Sequence, residues 1–413
     1  MTKLDELIQE LCPQGVERKR LGDIGVIIRG NGLQKKDFTE SGVGCIHYGQ
    51  IYTYYGTCAY KTKSFVSPEL AEKLQKVNTG DLVIAVTSEN VEDVGKCVVW
   101  LGDEQIVTGA HAAIFKHNQD PKYVAYWFQT NDFFTQKKRI AKGTKVIDLT
   151  PQKLEEVTMP VPPLPVQREI VRILDNFAEL TAELTAELTA RKKQYEYYRD
   201  TLLTFGVHRG GTFEAKWRAL GEVCGLQAGK AIPAIEISPV QTKEYSVPCY
   251  GGNGLRGYVR TANQQGDKPL VGRQGALCGN VCYATGSYYT TEHAVVVSDK
   301  GFFNSRFLYH ALVHANLNQY KTAGAQPGLS VAKLEKVKIP VPEKEIQDRI
   351  AKVLDNFDAI CSDLNIGLPA EIEARKKQYE YYRDMLLTFA AADDIILTDR
   401  QTDRQTDRQT EPN

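Results

Sequence analysis

An eleven-residue string that occurs twice constrains the fold of this 413-residue chain more than any other feature. The string ARKKQYEYYRD occupies residues 190–200 and again residues 374–384, which lie 184 residues later. A repeat of this length indicates an internal duplication, so the chain is best interpreted as two halves. The similarity extends upstream, where KLEEVTMPVP at 153–162 matches KLEKVKIPVP at 333–342 at an offset of 180. The second copy therefore carries four extra residues ahead of its Arg-Lys-Lys.

The segments between the repeats, 25–151 and 225–332, share no obvious sequence. The organisation is therefore a variable segment and a repeat, followed by a second variable segment and a second repeat. The predicted parts are 1–152 for the first variable domain with a short N-terminal helix, 153–206 for the first repeat, 207–332 for the second variable domain, 333–392 for the second repeat, and 393–413 for the tail. The tail repeats Thr-Asp-Arg-Gln, a low-complexity polar composition that predicts disorder.

Each repeat is predicted to begin as an extended, proline-rich strap and to continue as a long helix. The strap prolines are Pro160, Pro162, Pro163 and Pro165 in the first copy, and Pro340 and Pro342 in the second. Apolar residues then recur at steps of three and four with no Gly or Pro over 167–205, which predicts a coiled-coil helix of roughly 58 Å. In the second copy, Gly-Leu-Pro at 367–369 predicts an interruption or kink before the helix resumes at Ala370.

The helices also contain the residues predicted to set a spacing and to dock other subunits. Residues 178–190 are almost pure Thr-Ala-Glu-Leu repetition, a unit close to one helical turn. The tyrosines of the duplicated string fit packing between two helices better than ligand stacking, and its basic residues fit either a solvated face or a docking surface. The spacer and docking candidates are Leu180, Leu184, Leu188, Arg191, Lys192, Lys193, Tyr195, Arg375, Lys376, Lys377 and Tyr379.

Both variable segments are predicted to be mixed, strand-rich domains. Short apolar runs at 81–86, 97–101, 269–271 and 294–298 are separated by Gly and Asn turns. A helix is predicted near the end of each segment, at 121–138 and at 305–320, and a Gly-rich polar turn precedes each repeat. This similar order of elements suggests that the two domains share a fold despite their unlike sequences.

The polar loops of both domains are rich in the side chains that contact nucleic acids. Base edges are read mainly by Arg, Lys, Asn and Gln, while Tyr and backbone amides add phosphate contacts. For each residue, an ordinary polar loop is the alternative interpretation. The DNA-binding candidates are Arg29, Asn31, Lys35, Lys36, Tyr52, Tyr54, Lys142, Lys145, Asn253, Arg256, Tyr258, Arg273, Gln274 and Gln326.

Recognisable catalytic and metal-binding motifs are missing from the sequence. Gly252–Gly257 matches GxGxxG, but no apolar helical period follows it, so a tight β-turn is predicted instead of a dinucleotide site. The sequence has no GxxxxGK[ST] loop, no HExxH or GxSxG, and no Asn/Asp-Pro-Pro-aromatic string of the kind expected in an adenine methyltransferase. Cys278 and Cys282 with His293 have the wrong spacing for a zinc knuckle, so no metal is expected.

Charge and hydropathy indicate a protein of the cytoplasm with a polyanionic partner. The chain has 51 basic and 51 acidic residues, but residues 207–332 carry 12 basic and 7 acidic groups. This local positive excess mildly favours a polyanion as ligand. No apolar run is long enough to span a membrane, and the first residues lack the apolar stretch of a signal peptide. Nine scattered cysteines fit reduced thiols.

Taken together, these motifs resemble the specificity subunit of a type I restriction–modification system. The resemblance is carried by two unlike domains, each followed by a proline-rich strap, a Leu-Asp-Asn-Phe helix start and the RKKQYEYYRD helix end. Residues 248–258 with 271–276 resemble a target-recognition domain of that family, and the Thr-Ala-Glu-Leu run resembles a spacer element. The implied fold is α+β, with two globular strand-rich target-recognition domains joined by two long antiparallel coiled-coil helices in a pseudo-twofold internal repeat.

The resemblance also implies a function and partners. A specificity subunit is not an enzyme: each recognition domain reads one half of a bipartite, asymmetric site in double-stranded DNA. The helices hold the domains apart and dock two copies of the adenine methyltransferase subunit, and motor-nuclease subunits join them. S-adenosylmethionine, ATP and magnesium belong to those partners, so no cofactor is expected in this chain.

Two other classes of function remain as alternatives. A coiled-coil tether or adhesin could hold two ligand-binding domains apart without reading DNA. A stand-alone enzyme is disfavoured by the missing motifs. Binding of DNA in the presence of a methyltransferase partner would separate the first class from the specificity subunit.

Overall fold

The computed structural model of the protein describes residues 2–206, 213–275, 277–322, 327–362 and 367–389. The chain forms two compact units, here called unit 1 (1–183 with 373–413) and unit 2 (184–372). Each unit therefore combines one sheet-bearing domain with portions of long helices from both repeats. The predicted tail at 393–413 and the candidate Gln326 lie outside the described residues. The two units meet within the helices, at 183/184 and 372/373, and not at the predicted domain boundaries. This division therefore does not test those boundaries, and they stay predictions.

Unit 1 contains a domain of short helices and strands followed by the start of a long helix. Its helices are α1 Lys3–Leu11, α2 Leu21–Ile24, α3 Tyr48–Thr53, α4 Pro68–Lys73, α5 Pro121–Trp127, α6 Asn131–Ile140, α7 Pro151–Glu155 and the first part of α8 Leu164–Leu203. Its strands are β1 Arg18–Arg20, β2 Gly25–Arg29, β3 Val43–Ile46, β4 Cys58–Ala59, β5 Ser64–Val66, β6 Gln75–Val77, β7 Leu82–Ala85, β8 Thr87–Ser88, β9 Cys97–Trp100, β10 Ile106–Thr108, β11 Ala112–His117, β12 Ile147–Asp148 and β13 Thr158–Pro160. A 3₁₀ turn spans Lys35–Asp37.

Unit 2 repeats this plan with fewer helices. Its strands are β14 Lys216–Ala219, β15 Cys224–Ala228, β16 Val247–Gly251, β17 Gly254–Val259, β18 Gln264–Gln265, β19 Lys268–Gly272, β20 Val281–Ala284, β21 Ser287–Thr290, β22 Ala294–Asp299 and β23 Lys338–Val341. Its helices are the second part of α8, α9 Leu220–Val223, α10 Ser305–His314, α11 Val331–Leu334 and α12 Lys344–Ser362. Helix α13, Leu368–Thr388, begins in unit 2 and lies mostly in unit 1, and 3₁₀ turns span Ala234–Glu236 and Leu317–Tyr320.

The two domains share a sheet topology, as the order of sequence elements suggested. One sheet runs β2-β11-β7-β9-β4 in unit 1 and β15-β22-β19-β20 in unit 2. The other runs β5-β3-β10-β6 in unit 1 and β17-β16-β21-β18 in unit 2, with one parallel pair at its centre in both cases. The dissimilar sequences between the repeats therefore encode one fold, because alternating apolar strands and glycine turns are enough to specify it.

Each domain is closed by its own first and last strands. Strand β1 pairs with β13 in an antiparallel ribbon, and β14 pairs with β23 in the same way. The residues between these ribbons are called domain 1 (18–160) and domain 2 (216–341) below. Pro160 ends β13 and Pro340 lies in β23, while Pro162, Pro163 and Pro342 follow these strands outside any helix, so an extended strap is confirmed for these five prolines.

A buried glutamine joins each strap to its domain. Gln167, which is 0% exposed, accepts from the Asp120 backbone amide at 2.9 Å and donates to a strap proline carbonyl at 2.7 Å. Gln347, which is 1% exposed, makes the same pair of bonds, to the Asn304 amide at 2.8 Å and to a strap proline carbonyl at 2.9 Å. Each glutamine thus satisfies backbone groups that would otherwise be buried without partners.

The aspartate of each Leu-Asp-Asn-Phe motif is bound to a helix of its own domain. In unit 1, Asp175 accepts from the Lys122 ammonium group at 2.8 Å and from the Tyr126 hydroxyl at 2.6 Å. In unit 2, Asp355 accepts from Arg306 and lies 2.7 Å from Nε2 of the fully buried His310. The repeat supplies the same acceptor twice, while each domain supplies its own donors.

Within each unit, segments of the two repeats run antiparallel, as predicted. In unit 1 the rings of Phe177 and Tyr382 stack with centroids 5.5 Å apart, and α8 residues that follow Phe177 line a cleft with Lys376 and Tyr379. In unit 2 the rings of Tyr198 and Phe357 stack with centroids 5.4 Å apart, and Tyr195, which lies earlier in α8, lines a cleft with Asp358 and Ser362, which lie later in α12. Rising residue numbers in one helix therefore meet falling numbers in the other.

Several predicted helix limits are wrong by a few residues or more. Helix α8 starts at Leu164, so Pro165 lies in its first turn, where a missing amide costs little, and not in the extended strap. The predicted helix at 121–138 is divided into α5 and α6, because Thr130 caps a new helix by accepting from the Phe133 amide. The predicted helix at 305–320 is α10 followed by a 3₁₀ turn. Gly367 lies outside any helix, which confirms the interruption, although α13 resumes at Leu368.

The seam predicted through the Thr-Ala-Glu-Leu run is only partly buried. Leu180 is 47% exposed, and Leu184 and Leu188 are only partly buried. The physical reason is the strict four-residue spacing, which advances about 400° per unit and so rotates successive leucines by about 40° around the helix. A buried seam needs alternating steps of three and four residues.

Candidate nucleic-acid interface

In domain 1, an ion pair joins two loops that were predicted to bind DNA. The Arg29 guanidinium at the end of β2 lies 2.6 Å from the Asp148 carboxylate and also donates to the Ala110 carbonyl at 3.0 Å. Backbone hydrogen bonds in both directions join Lys142 to Asp148. The structure therefore brings Arg29 and the loop with Lys142 together, and the side chains of Lys142 and Lys145 remain exposed.

The conformation of that loop depends on a glycine. Gly143 has φ +118°, a backbone conformation that side-chain-bearing residues rarely adopt. A Cβ atom there would also overlap the Val146 carbonyl oxygen. The tight turn places Lys142 and Lys145 on one exposed loop beside β12, so substitution of Gly143 should displace both cations.

Aromatic and hydroxyl side chains cluster beside this loop. The Tyr52 hydroxyl donates to the Thr87 carbonyl at 2.8 Å, and burial raises the pKa of Tyr52 to about 12. The Thr87 hydroxyl lies 2.9 Å from Nδ1 of His111, whose ring centroid is 4.9 Å from that of Tyr48. Sequence reasoning missed Tyr48 and His111. The signal that could have identified them was their position at strand ends, next to glycine turns.

The other domain 1 candidates have different surroundings. Asn31 is exposed, but its side-chain amide donates to the Lys73 carbonyl at 2.8 Å and accepts from the Gln75 amide at 3.1 Å, so it fixes a loop. Lys35 and Lys36 lie exposed on the 3₁₀ turn. Burial lowers the pKa of His47, and the nearby Lys35 charge lowers it further. Tyr54 is 57% exposed and lies under the Lys63 ammonium group, 4.5 Å from its ring centroid.

Domain 2 has an open cleft of about 770 Å³ at the equivalent strand ends. It gathers polar side chains from three different turns, namely Asn253 and Arg256 of the β16–β17 hairpin, Gln274 after β19, and His293 before β22. Asn253 and Arg256 are exposed, as predicted for this turn. The GxGxxG match lies in this hairpin with no helix at its end, which supports the prediction that it is no dinucleotide site.

Close backbone contacts hold the cleft together. A Cβ atom at Gly272 would overlap the Gly252 carbonyl oxygen, so the two turns meet without side chains between them. The Arg273 amide donates to the His293 carbonyl at 2.8 Å, and the Leu329 amide donates to the Arg273 carbonyl at 2.8 Å. The cleft is therefore a fixed concave surface formed by residues far apart in sequence.

Three buried polar atoms around this cleft have no hydrogen-bond partner in the described part of the chain. They are Nε of Arg273, Oε2 of Glu292 and Nδ1 of His293. The second oxygen of Glu292 lies 3.1 Å from Nε2 of His293. Buried polar atoms are usually satisfied, so this cluster indicates a place where a polar ligand or water completes the network. Tyr258 is not among the residues that line the cleft; its backbone pairs with Ser238.

The duplicated string presents the same exposed side chains in both units. Lys192, Lys193 and Tyr197 are exposed in unit 2, and Lys376 and Lys377 are exposed in unit 1, as is Tyr381. Tyr195 and Tyr379 are instead partly buried, and this burial raises the pKa of each to about 12. The prediction that these two tyrosines pack between elements fits the structure better than a role in docking.

The described ranges contain neither a metal-binding cluster nor a membrane-spanning helix. No group of three or more His, Cys, Asp or Glu residues in them is arranged to hold a metal ion. The same ranges contain no helix with the length and apolar character needed to cross a membrane.

Comparison with known sequences and structures identifies the family. The model of the type I restriction modification DNA specificity domain matches residues 13–191 and 214–374. The EcoprrI specificity subunit of Escherichia coli is 44% identical over 254 residues, which cover 59% of this chain and 63% of that protein. A putative type I specificity subunit of Mycoplasma pneumoniae is 34% identical over 289 residues, 65% of this chain and 82% of the relative. The aligned part thus covers less than two thirds of the EcoprrI subunit.

Solved structures show the same fold. The S subunit of a type I restriction-modification system from M. genitalium aligns over 90% of this chain and 96% of its own, with a TM-score of 0.58 and 16% identity. A chain from a study of complex assembly in the type I R-M system aligns over 91% of this chain and 98% of its own, with a TM-score of 0.60 and 18% identity. Given the two family matches on two domains of one topology, this chain belongs to the family defined by the type I restriction modification DNA specificity domain.

Proposed function

We propose that this chain is the specificity subunit of a type I restriction–modification enzyme and that domains 1 and 2 each read one half of a bipartite DNA site. The observation that carries the proposal is the pairing of one fold with two unlike surfaces. Domain 1 presents Arg29, Lys142 and His111 beside tyrosines, whereas domain 2 presents Asn253, Arg256 and Gln274 around a cleft. Two domains with the same fold but unlike surfaces select two different half-sites, and the DNA target is therefore asymmetric.

Other components of the enzyme supply the chemistry under this proposal. The chain contributes no catalytic group; S-adenosylmethionine binds to adenine methyltransferase subunits, and ATP and magnesium bind to motor-nuclease subunits. The assembly acts on double-stranded DNA in the cytoplasm. Lysines and arginines of the partners add phosphate contacts, which fits the equal numbers of basic and acidic residues in this chain.

Selection of DNA by the assembled methyltransferase tests the proposal. The full chain, purified with its cognate methyltransferase subunit, should enrich from random duplexes a motif with two defined half-sites and an undefined spacer. The methyltransferase without this chain is the control and should enrich nothing. A palindromic motif, or no motif with any partner, would refute the proposal and favour the tether alternative.

We also propose that each unit docks one copy of the methyltransferase, through the exposed residues of the duplicated string. Identical exposed residues in two units offer two equivalent sites to one partner. Reversing the charges at Lys192 and Lys193 should therefore remove one methyltransferase, and reversing those at Lys376 and Lys377 should remove the other. We expect each double variant to weaken its own site by roughly tenfold or more, as for opposed like charges in an interface.

Native mass spectrometry of the complexes measures this effect directly. The expected stoichiometry falls from two methyltransferase subunits to one for each double variant, and to none for the quadruple variant. The matched control is charge reversal at Lys243 and Lys321, which are exposed lysines outside the duplicated string. Retention of two subunits by the quadruple variant would exclude these residues as the docking surface.

A further inference from the structure

Strand register places a histidine at the same position in both domains. In domain 1, Ala112 of β11 faces Ala85 of β7; in domain 2, Ala294 of β22 faces Gly272 of β19. A histidine directly precedes each of these alanines. The backbone hydrogen bonds agree with this register. Val86 and Arg273 follow the facing residues Ala85 and Gly272, so they are equivalent positions. The His111 carbonyl accepts from the Val86 amide at 3.0 Å, and the His293 carbonyl accepts from the Arg273 amide at 2.8 Å.

The two imidazoles also occupy corresponding surroundings. His111 is exposed, with Nδ1 held by the Thr87 hydroxyl at 2.9 Å and its ring beside that of Tyr48. By the same register, Thr87 corresponds to Gln274, which lines the domain 2 cleft together with His293. Each histidine therefore lies where the residues with DNA-binding character converge.

The environment of His293 indicates an unfilled polar site. The side chain of His293 is 39% exposed, and its Nε2 atom pairs with Glu292 at 3.1 Å. Nδ1 of His293, Oε2 of Glu292 and Nε of Arg273 are buried without a partner among the described residues. The edge of a DNA base pair, or a water ordered on it, carries both hydrogen-bond donors and acceptors. It could therefore supply the partners that these three atoms do not have within the described residues.

We propose that His111 and His293 are specificity-determining residues, each contacting a base edge in one half of the DNA site. This inference rests on the proposed function and adds the residues around which each half-site is read. An imidazole can donate or accept, and its neighbours decide which: Thr87 and Tyr48 in domain 1, Glu292 in domain 2. The two domains thus use equivalent positions of one shared fold to contact different bases.

Selection from randomised duplex DNA tests the inference, with the full chain bound to its methyltransferase subunits. His293→Ala should reduce discrimination at one or two positions of a single half-site by roughly 10- to 100-fold, the range of a good base contact. His111→Ala should do the same in the other half-site. His111→Gln and His293→Gln, which keep hydrogen-bonding groups, should retain a preference at those positions, although for a changed base.

Matched histidines serve as controls. His117, at the opposite end of β11, and His314, on α10, lie outside both clusters, so alanine there should leave base preference unchanged. Thermal unfolding of each variant shows whether the fold persists, and the glutamine variants keep the test valid if an alanine variant unfolds.

Three results would overturn the inference. They are unchanged base preference in folded His111 and His293 variants, equal loss in both half-sites from one substitution, and loss that is uniform across sequences with a smaller salt dependence, which marks a phosphate contact. In each of these cases a bipartite motif from the unaltered chain would leave the proposed function intact. Absence of any motif from the unaltered chain would refute both.

Discussion

One additional unit of the Thr-Ala-Glu-Leu repeat, inserted in phase as Leu-Thr-Ala-Glu between Glu183 and Leu184, is expected to lengthen the undefined spacer of the DNA site by one base pair. Residues up to 183 of α8 belong to unit 1 and residues from 184 belong to unit 2, so the insertion separates the two packed portions of one continuous helix. Four helical residues add about 6 Å and about 400°, a net rotation of about 40°. One base pair adds about 3.4 Å and about 35°.

The rotation therefore matches one base pair closely, while the translation matches only coarsely. Because both domains keep their sequences, both half-sites should be unchanged. We expect a nearly complete switch of the preferred spacer, measured by sequencing methylated sites in cells that carry the variant chain and its methyltransferase.

A helix of unchanged length provides the control for this prediction. Thr185→Ala with Thr189→Ala alters the same stretch without changing its residue count, and should keep the original spacer. New bases in either half-site, or an unaltered spacer in the insertion variant, would contradict the prediction. The result bears on the proposed function, since a tether without DNA recognition would show no methylation motif in either variant.

Replacement of Gln347 by leucine is expected to destabilise unit 2 by about 2–4 kcal/mol. Gln347 is 1% exposed and bonds the Asn304 amide, the Phe302 carbonyl and a strap carbonyl at 2.8–3.0 Å. Leucine of similar size fills the space but leaves the buried strap carbonyl without its partner, at a cost of about 1–3 kcal/mol. The Asn304 amide and the Phe302 carbonyl are only partly buried, so they add roughly 1 kcal/mol together. Chemical denaturation of the full chain, followed by hydrogen exchange of unit 2 amides, measures the loss.

The duplication supplies an internal comparison for this prediction. Gln167→Leu removes equivalent bonds and should destabilise unit 1 by a similar amount while leaving unit 2 protected from exchange. Gln319 is exposed and its side chain donates to the Ala315 carbonyl just after α10, so Gln319→Leu should change stability by no more than about 0.5 kcal/mol. Equal exchange protection in the Gln347 and Gln319 variants would show that the buried bonds contribute little.

Some of the fold was predictable because the chain contains a duplication, so one half of the sequence can be aligned with the other. The matching strings at 190–200 and 374–384 predicted two helices that pack together, and the resemblance to the specificity subunits added that they are antiparallel. The Phe177–Tyr382 stack and the cleft lined by Thr181 and Tyr379 confirm both in unit 1. Strands at 97–101 and 294–298 followed from short apolar runs between turns. Helix ends were less predictable, since a capping bond such as that of Thr130 competes with the apolar period.

The candidate site was only partly predictable, for reasons that individual residues make clear. Arg256, Asn253 and Gln274 were correctly expected on exposed turns, and the structure brings them to one cleft. Asn31 has the same residue type, but its amide is used to hold two backbone groups. His111 has no sequence motif around it, and only strand register shows that it corresponds to His293.

The sequence by itself determined the duplication, the strap and helix of each repeat, and the family to which they point, because these depend on local periodicity and on repeated strings. Only the tertiary structure decided which side chains share a site. Hydrogen bonds between distant strands set the register of each sheet, and register brings Thr87 to His111 and Gln274 to His293. Such contacts join residues far apart in the chain, and no local pattern of residues records them.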